Sequence, residues 1–93
     1  MALSSINREY RLKHPGGQAS IVRRWLAGET TFDIGVSFGL GGAHLNNAQA
    51  WPIQRAIVSF IEKYAGVHDV QQYSDEYIRV CAGKALRNWS SQP

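Results

Sequence analysis

The stretch AHLNNAQA places an imidazole, His44, beside two adjacent carboxamides, Asn46 and Asn47, with a third carboxamide, Gln49, two residues on. A carboxamide donates and accepts at once, so Asn or Gln can bond bidentately to N6 and N7 of an adenine edge. An imidazole can donate to guanine or to a phosphate, and each good bidentate contact carries about 1–3 kcal/mol of discrimination between bases. The plain alternative is a solvated polar face. Two neighbouring asparagines cost about half a kcal/mol each against alanine in a helix, a cost that a merely solvated helix has no reason to carry. With Ala43 ahead of them, these side chains form a candidate base-reading set.

Such a set works only if it is held on the outside of a rigid element, and the preceding residues are spaced to do that. In TFDIGVSFGLGGAHLNNAQA, beginning at Thr31, the apolar residues Ile34, Phe38 and Leu45 fall where a short scaffold helix and a second helix would bury them. Gly35 is small where the two helices would cross, and Gly39 suits the positive φ that ends a first helix and redirects the chain. Thr30 or Thr31 can cap the scaffold helix, with the charge of Asp33 in its first turn. This is the spacing of a helix-turn-helix, in which the second helix enters a DNA major groove.

The second helix, about Gly42 to Ala50, carries neither Lys nor Arg, so phosphate contacts must come from its surroundings. The candidates are Thr30 and Thr31, Arg23 and Arg24 before them, Arg55 after them, and Arg8, Arg11 and Lys13 near the N-terminus. The formal net charge is only +3. Its distribution is uneven: Arg8, Arg11, Lys13, Arg23 and Arg24 face Glu9 alone in the first 27 residues, which would draw that end towards a phosphate backbone.

The remaining composition excludes other chemistries. His14, His44 and His68 are widely separated and Cys81 is the only cysteine, so no metal-ligand spacing and no internal disulfide arises. Cys81 falls on the apolar side of a helix and reads as a buried thiol rather than a nucleophile. HPGG and GLGG lack the strand, Lys and Ser/Thr of a phosphate loop. No enzyme activity and no cofactor is expected. No apolar run is long enough for a membrane span, and the N-terminal residues lack the apolar core of a signal peptide; a cytoplasmic protein is the expectation.

Periodicity makes the chain all-α, with about five short helices around the central helix-turn-helix. Residues 1–17 read as a basic arm or short helix, closed by a break at His14-Pro15-Gly16-Gly17. Residues 18–66 form the helix-turn-helix core: a first helix from Gln18 to Ala27, the two motif helices, and a fourth opened by Pro52. That fourth helix carries Ile53, Ala56, Ile57, Phe60, Ile61 and Tyr64 on one side and stops at Gly66. Val67 to Tyr73 reads as a linker. Residues 67–93 end in a helix capped by Ser74, whose apolar side includes Tyr77, Ile78, Cys81, Leu86 and Trp89. That stripe exceeds what one small core readily buries, so it is a candidate homodimer interface, the alternative being docking on the fourth helix.

The segment WLAGETTFDIGVSFGLGGAHLNNA resembles the helix-turn-helix of the tryptophan repressor family, which also follows a helix ending in Gly-Glu. The order of elements is similar to that of compact phage and bacterial repressors. The resemblance implies a DNA-binding transcription regulator, often dimeric, but not tryptophan binding, because no matching ligand residues are present. The resulting expectation is a bacterial or phage repressor acting as a homodimer on an inverted repeat of double-stranded DNA. The alternative is an adaptor or inhibitor that uses the same scaffold to bind a host protein.

Overall fold

In the computed structural model, residues 5–40 and 50–92 are described, with side chains from residue 7 onward. Among them the chain forms α1 (Ser5–Lys13), α2 (Pro15–Leu26), α3 (Thr31–Ser37), α4 (Trp51–Ala65) and α5 (Asp75–Ser90), with one 3-10 turn at Val70–Gln72. The all-α expectation holds. The second helix of the motif, with Ala43, His44, Leu45, Asn46, Asn47 and Gln49, lies outside the described residues.

The expected break at His14–Gly17 shrinks to a single residue. Proline forces the residue before it out of the helical region, and His14 is extended at φ −99 and ψ 144. Pro15 itself has the φ that a first helical turn needs. Helix α2 therefore starts at Pro15 and takes both glycines into its first turn, three residues earlier than periodicity indicated. The second glycine is needed there for space. A Cβ on Gly17 would stand 2.5 Å from Arg11 Cα and 2.8 Å from its carbonyl carbon, whereas one on Gly16 would meet nothing within 4 Å. Helices α1 and α2 meet backbone to backbone at this corner. The buried Gln18 locks it by donating from Nε2 to the Leu12 carbonyl at 2.8 Å. Ser5–Lys13 is thus a helix docked on α2.

Helix α4 is the axis of the fold and touches α1, α2, α3, the 3-10 turn and α5. Its stripe Ile53, Ala56, Ile57, Phe60 and Ile61 is buried as spacing indicated. Ile21 and Val22 of α2, Ile34 and Phe38, and Cys81, Ala82 and Ala85 of α5 close around it. Gly66 ends α4 in the left-handed region at φ 66, a conformation that glycine adopts without steric cost. The expected linker is partly structured, because Val70 in its 3-10 turn is buried against the core. Ser74 caps α5 as expected, its hydroxyl accepting from the Tyr77 N–H at 3.2 Å.

The stripe assigned to a subunit interface is largely consumed within the chain. Cys81 is buried, and Ile78, Leu86 and Trp89 are half-buried against the same core. Only Tyr77 of the five stays exposed, at 45%. The physical reason is that α4 offers α5 an apolar surface of matching length, so intramolecular docking takes precedence.

The corner gives opposite expectations for neighbouring glycines. Gly16→Ala should stabilise the fold by up to about 1 kcal/mol by reducing the freedom of the unfolded chain. Gly17→Ala should destabilise it by about 1–3 kcal/mol, because backbone must move to admit the methyl group. Thermal melting of the two variants checks this; equal effects would contradict the close approach.

Candidate nucleic-acid interface

The scaffold helix begins where Thr30 caps it: its hydroxyl accepts from the Asp33 N–H at 3.0 Å. That resolves the choice between Thr30 and Thr31. Ile34, Gly35 and Phe38 are buried, the face on which the motif required small and apolar residues. Phe32 and Val36 remain on the outer side, 38% and 53% exposed.

The helix ends in a paired left-handed stop. The Gly39 N–H donates to the Val36 carbonyl at 2.9 Å, and the Leu40 N–H reaches back to the Gly35 carbonyl at 3.0 Å. Gly39 sits at φ 74 between them. This double bond pattern is the Schellman motif, which satisfies carbonyls that a helix end leaves without partners and turns the chain sharply. Leu40 then packs half-buried on the core. The turn is reinforced from α1: Arg8 Nη1 donates to the Gly39 carbonyl at 3.2 Å and to the Phe38 carbonyl at 3.4 Å. The Arg11 guanidinium lies 4.8 Å from the centroid of the Phe38 ring.

The residues expected to hold phosphates therefore divide into two groups. Arg8 and Thr30 serve the ends of α3. Arg24 forms a two-pronged bond with Glu29, from Nε at 2.8 Å and Nη2 at 2.7 Å, and a third bond from Nη1 to the Ser37 hydroxyl at 2.9 Å. It thereby ties the end of α2 to the end of α3. Bonding to Arg24 holds the Glu29 carboxyl below its ordinary range, and Arg24 is held charged in return. The other group stays at the surface. Lys13 is exposed and pairs with Glu9, at 2.9 Å. Lys13 and Arg55 line opposite sides of one groove of about 420 Å³ between α1 and α4. Arg23 is exposed and lies 5.4 Å from the Trp89 ring centroid, and Thr31 is half-buried.

Sequence reasoning missed the capping duty of Arg8, which acts across 31 residues; a long-range contact of this kind leaves no periodic signal. It also missed Arg79, which donates to the Trp25 carbonyl at 3.2 Å and lies 4.3 Å over the Trp25 ring. No protein-family model, curated protein or solved structure matches the chain.

The Arg24–Glu29 fork predicts a pH dependence of defined sign. Because the folded carboxyl has a lowered pKa, its contribution to stability is complete above the ordinary carboxylate value of about 4.3. It is lost as pH falls through the lowered value. Glu29→Gln should melt below the native protein at neutral pH, and the two curves should converge as pH falls through the lowered carboxyl value. A constant gap across a melting series would show that the fork contributes no linked stability.

Proposed function

We propose that this protein is a sequence-specific regulator of transcription that binds double-stranded DNA, a repressor of bacterial or phage type acting as a homodimer on an inverted repeat in the cytoplasm. The observation that carries the reading is the end of the scaffold helix. A capped helix with its apolar face buried stops at a left-handed glycine, at the positions the motif requires, and is immediately followed by the run that holds His44, Asn46 and Asn47. In this reading Asn46 and Asn47 read adenine edges, His44 contacts guanine or phosphate, Ala43 and Gln49 flank them, and Lys13, Arg23, Arg55 and Thr31 meet the phosphate backbone. Occupancy of the site is the mechanism.

A second reading is kept because of a specific observation. Arg8 and Arg24 are engaged within the fold, and Phe32, Val36 and Trp51 are exposed apolar groups near the same elements. That composition suits an adaptor or inhibitor that binds another protein.

Footprinting and mobility shifts at two salt concentrations separate them. The DNA reading expects a defined footprint and a log–log salt slope of about −3 per subunit, if Lys13, Arg23 and Arg55 each neutralise one phosphate. Asn46→Ala should cost about 1–3 kcal/mol of specific binding while leaving nonspecific binding intact. Absence of a footprint at micromolar protein would favour the adaptor.

A further inference from the structure

A cavity of about 620 Å³ opens where the end of α2, the start of α3, α4, the 3-10 turn and α5 meet. Small-molecule sites typically enclose about 300–1,000 Å³. Its floor is apolar: Ile57 and Val70 are buried, and Val58 and Ile78 are half-buried. Trp51 stands at its edge, 56% exposed and outside the core cluster. A single exposed ring needs no explanation. This one shares a stripe of α4 with Gln54 and Val58, three and seven residues on, so that ring, carboxamide and apolar floor border one space.

Charge narrows what can fill it. The ionised groups in the described lining are Glu29, Asp75 and Arg79. Glu29 is held by the fork from Arg24, and Asp75 accepts from Arg79 Nε at 3.1 Å. Arg79 also donates to the Trp25 carbonyl and lies over the Trp25 ring. Each of these charges is already matched, which leaves none to complement a phosphate, carboxylate or ammonium group on a ligand. The carboxamides of Gln54 and Gln71 are the reverse case. They border the cavity from two elements, α4 and the 3-10 turn, and neither has a hydrogen-bond partner among the described residues. Each can donate and accept at once.

We infer that this cavity binds an uncharged purine nucleoside, its base stacked on Trp51 and its edge met by Gln54 and Gln71. A purine base is planar, aromatic and neutral, and carries donors and acceptors side by side on its edge. A carboxamide pairs with such an edge bidentately, and an indole stacks on the face of any base. A nucleotide or a single strand fits less well, because its phosphates would find no spare cation in the wall. The assignment rests on the cavity and not on the DNA-binding reading, since none of these residues belongs to the run from His44 to Gln49.

Calorimetric titration of the full chain with adenosine and with guanosine tests it. At least one should bind, one molecule per chain, and quench tryptophan emission. Trp51→Ala should weaken that binding at least about fivefold, and Gln71→Ala should do the same. Both variants should keep the native circular dichroism and melting, because both side chains are exposed. Adenosine 5′-monophosphate should bind no more tightly than adenosine at equal ionic strength. Absence of binding by either nucleoside at millimolar concentration would overturn the proposal, as would affinity undiminished in Trp51→Ala. A monophosphate or an oligodeoxyadenylate strand that binds about tenfold more tightly than the nucleoside would overturn it too, by assigning the cavity to a phosphate-bearing ligand.

Discussion

Short helices leave carbonyl groups without partners at their C-terminal ends, and this small fold has the ends of α1 to α4 each capped by a side chain from another helix. Gln18 of α2 donates to Leu12 at the end of α1. Arg79 of α5 donates to Trp25 at the end of α2. Arg8 of α1 donates to Phe38 and Gly39 beyond α3, and Asn88 of α5 donates to Tyr64 near the end of α4 at 2.7 Å. Each bond contributes about 1 kcal/mol net, and more where the donor is charged. Their larger effect is geometric, because they fix where each helix stops and how the chain leaves it.

That constraint gives the N-terminal helix its role. Helix α1 could have served as a basic arm, yet two of its three cations are directed inward: Arg8 holds the turn after α3, and Arg11 covers Phe38 beneath it, while Lys13 stays at the surface. The corner at His14 lets α1 fold back far enough to reach that turn, and Gly17 allows the close approach. The turn that must aim any DNA-reading element is therefore held by residues some thirty positions upstream. Positive charge near the N-terminus supports the proposed recognition indirectly, through the architecture of the turn, more than by meeting phosphate.

Local signals in the sequence were legible because the physics behind them is local. Gly39 and Gly66 mark left-handed stops, Ser74 and Thr30 are caps whose hydroxyls bond three residues on, and the spacing of Ile53 to Ile61 follows one helix face. Two departures arose where distant elements decide. The glycines after Pro15 read as a break, but proximity to the Arg11 backbone turns one of them into a packing residue within a helix. The apolar side of α5 read as a surplus needing a partner, but α4 supplies that surface inside the chain. Pairings such as Arg24 with Glu29 and Ser37 were equally out of reach, since a charge in a sequence does not announce its partner. Of the candidate site, the scaffold and its turn could be read from the sequence and compared with the structure. Ala43 to Gln49 fall outside the described residues and rest on their chemistry.

The account stands on the claim that a rigidly stopped scaffold helix presents that polar run to a duplex. The most direct measurement is an amide spectrum of ¹⁵N-labelled protein titrated with a duplex selected from a random pool. The account predicts the largest shifts at His44, Asn46, Asn47 and Gln49, with smaller ones at Lys13 and Arg55 and none along the outer face of α5. Failure of any duplex to be selected, or shifts confined to Phe32, Val36 and Trp51 with the asparagines unmoved, would contradict it.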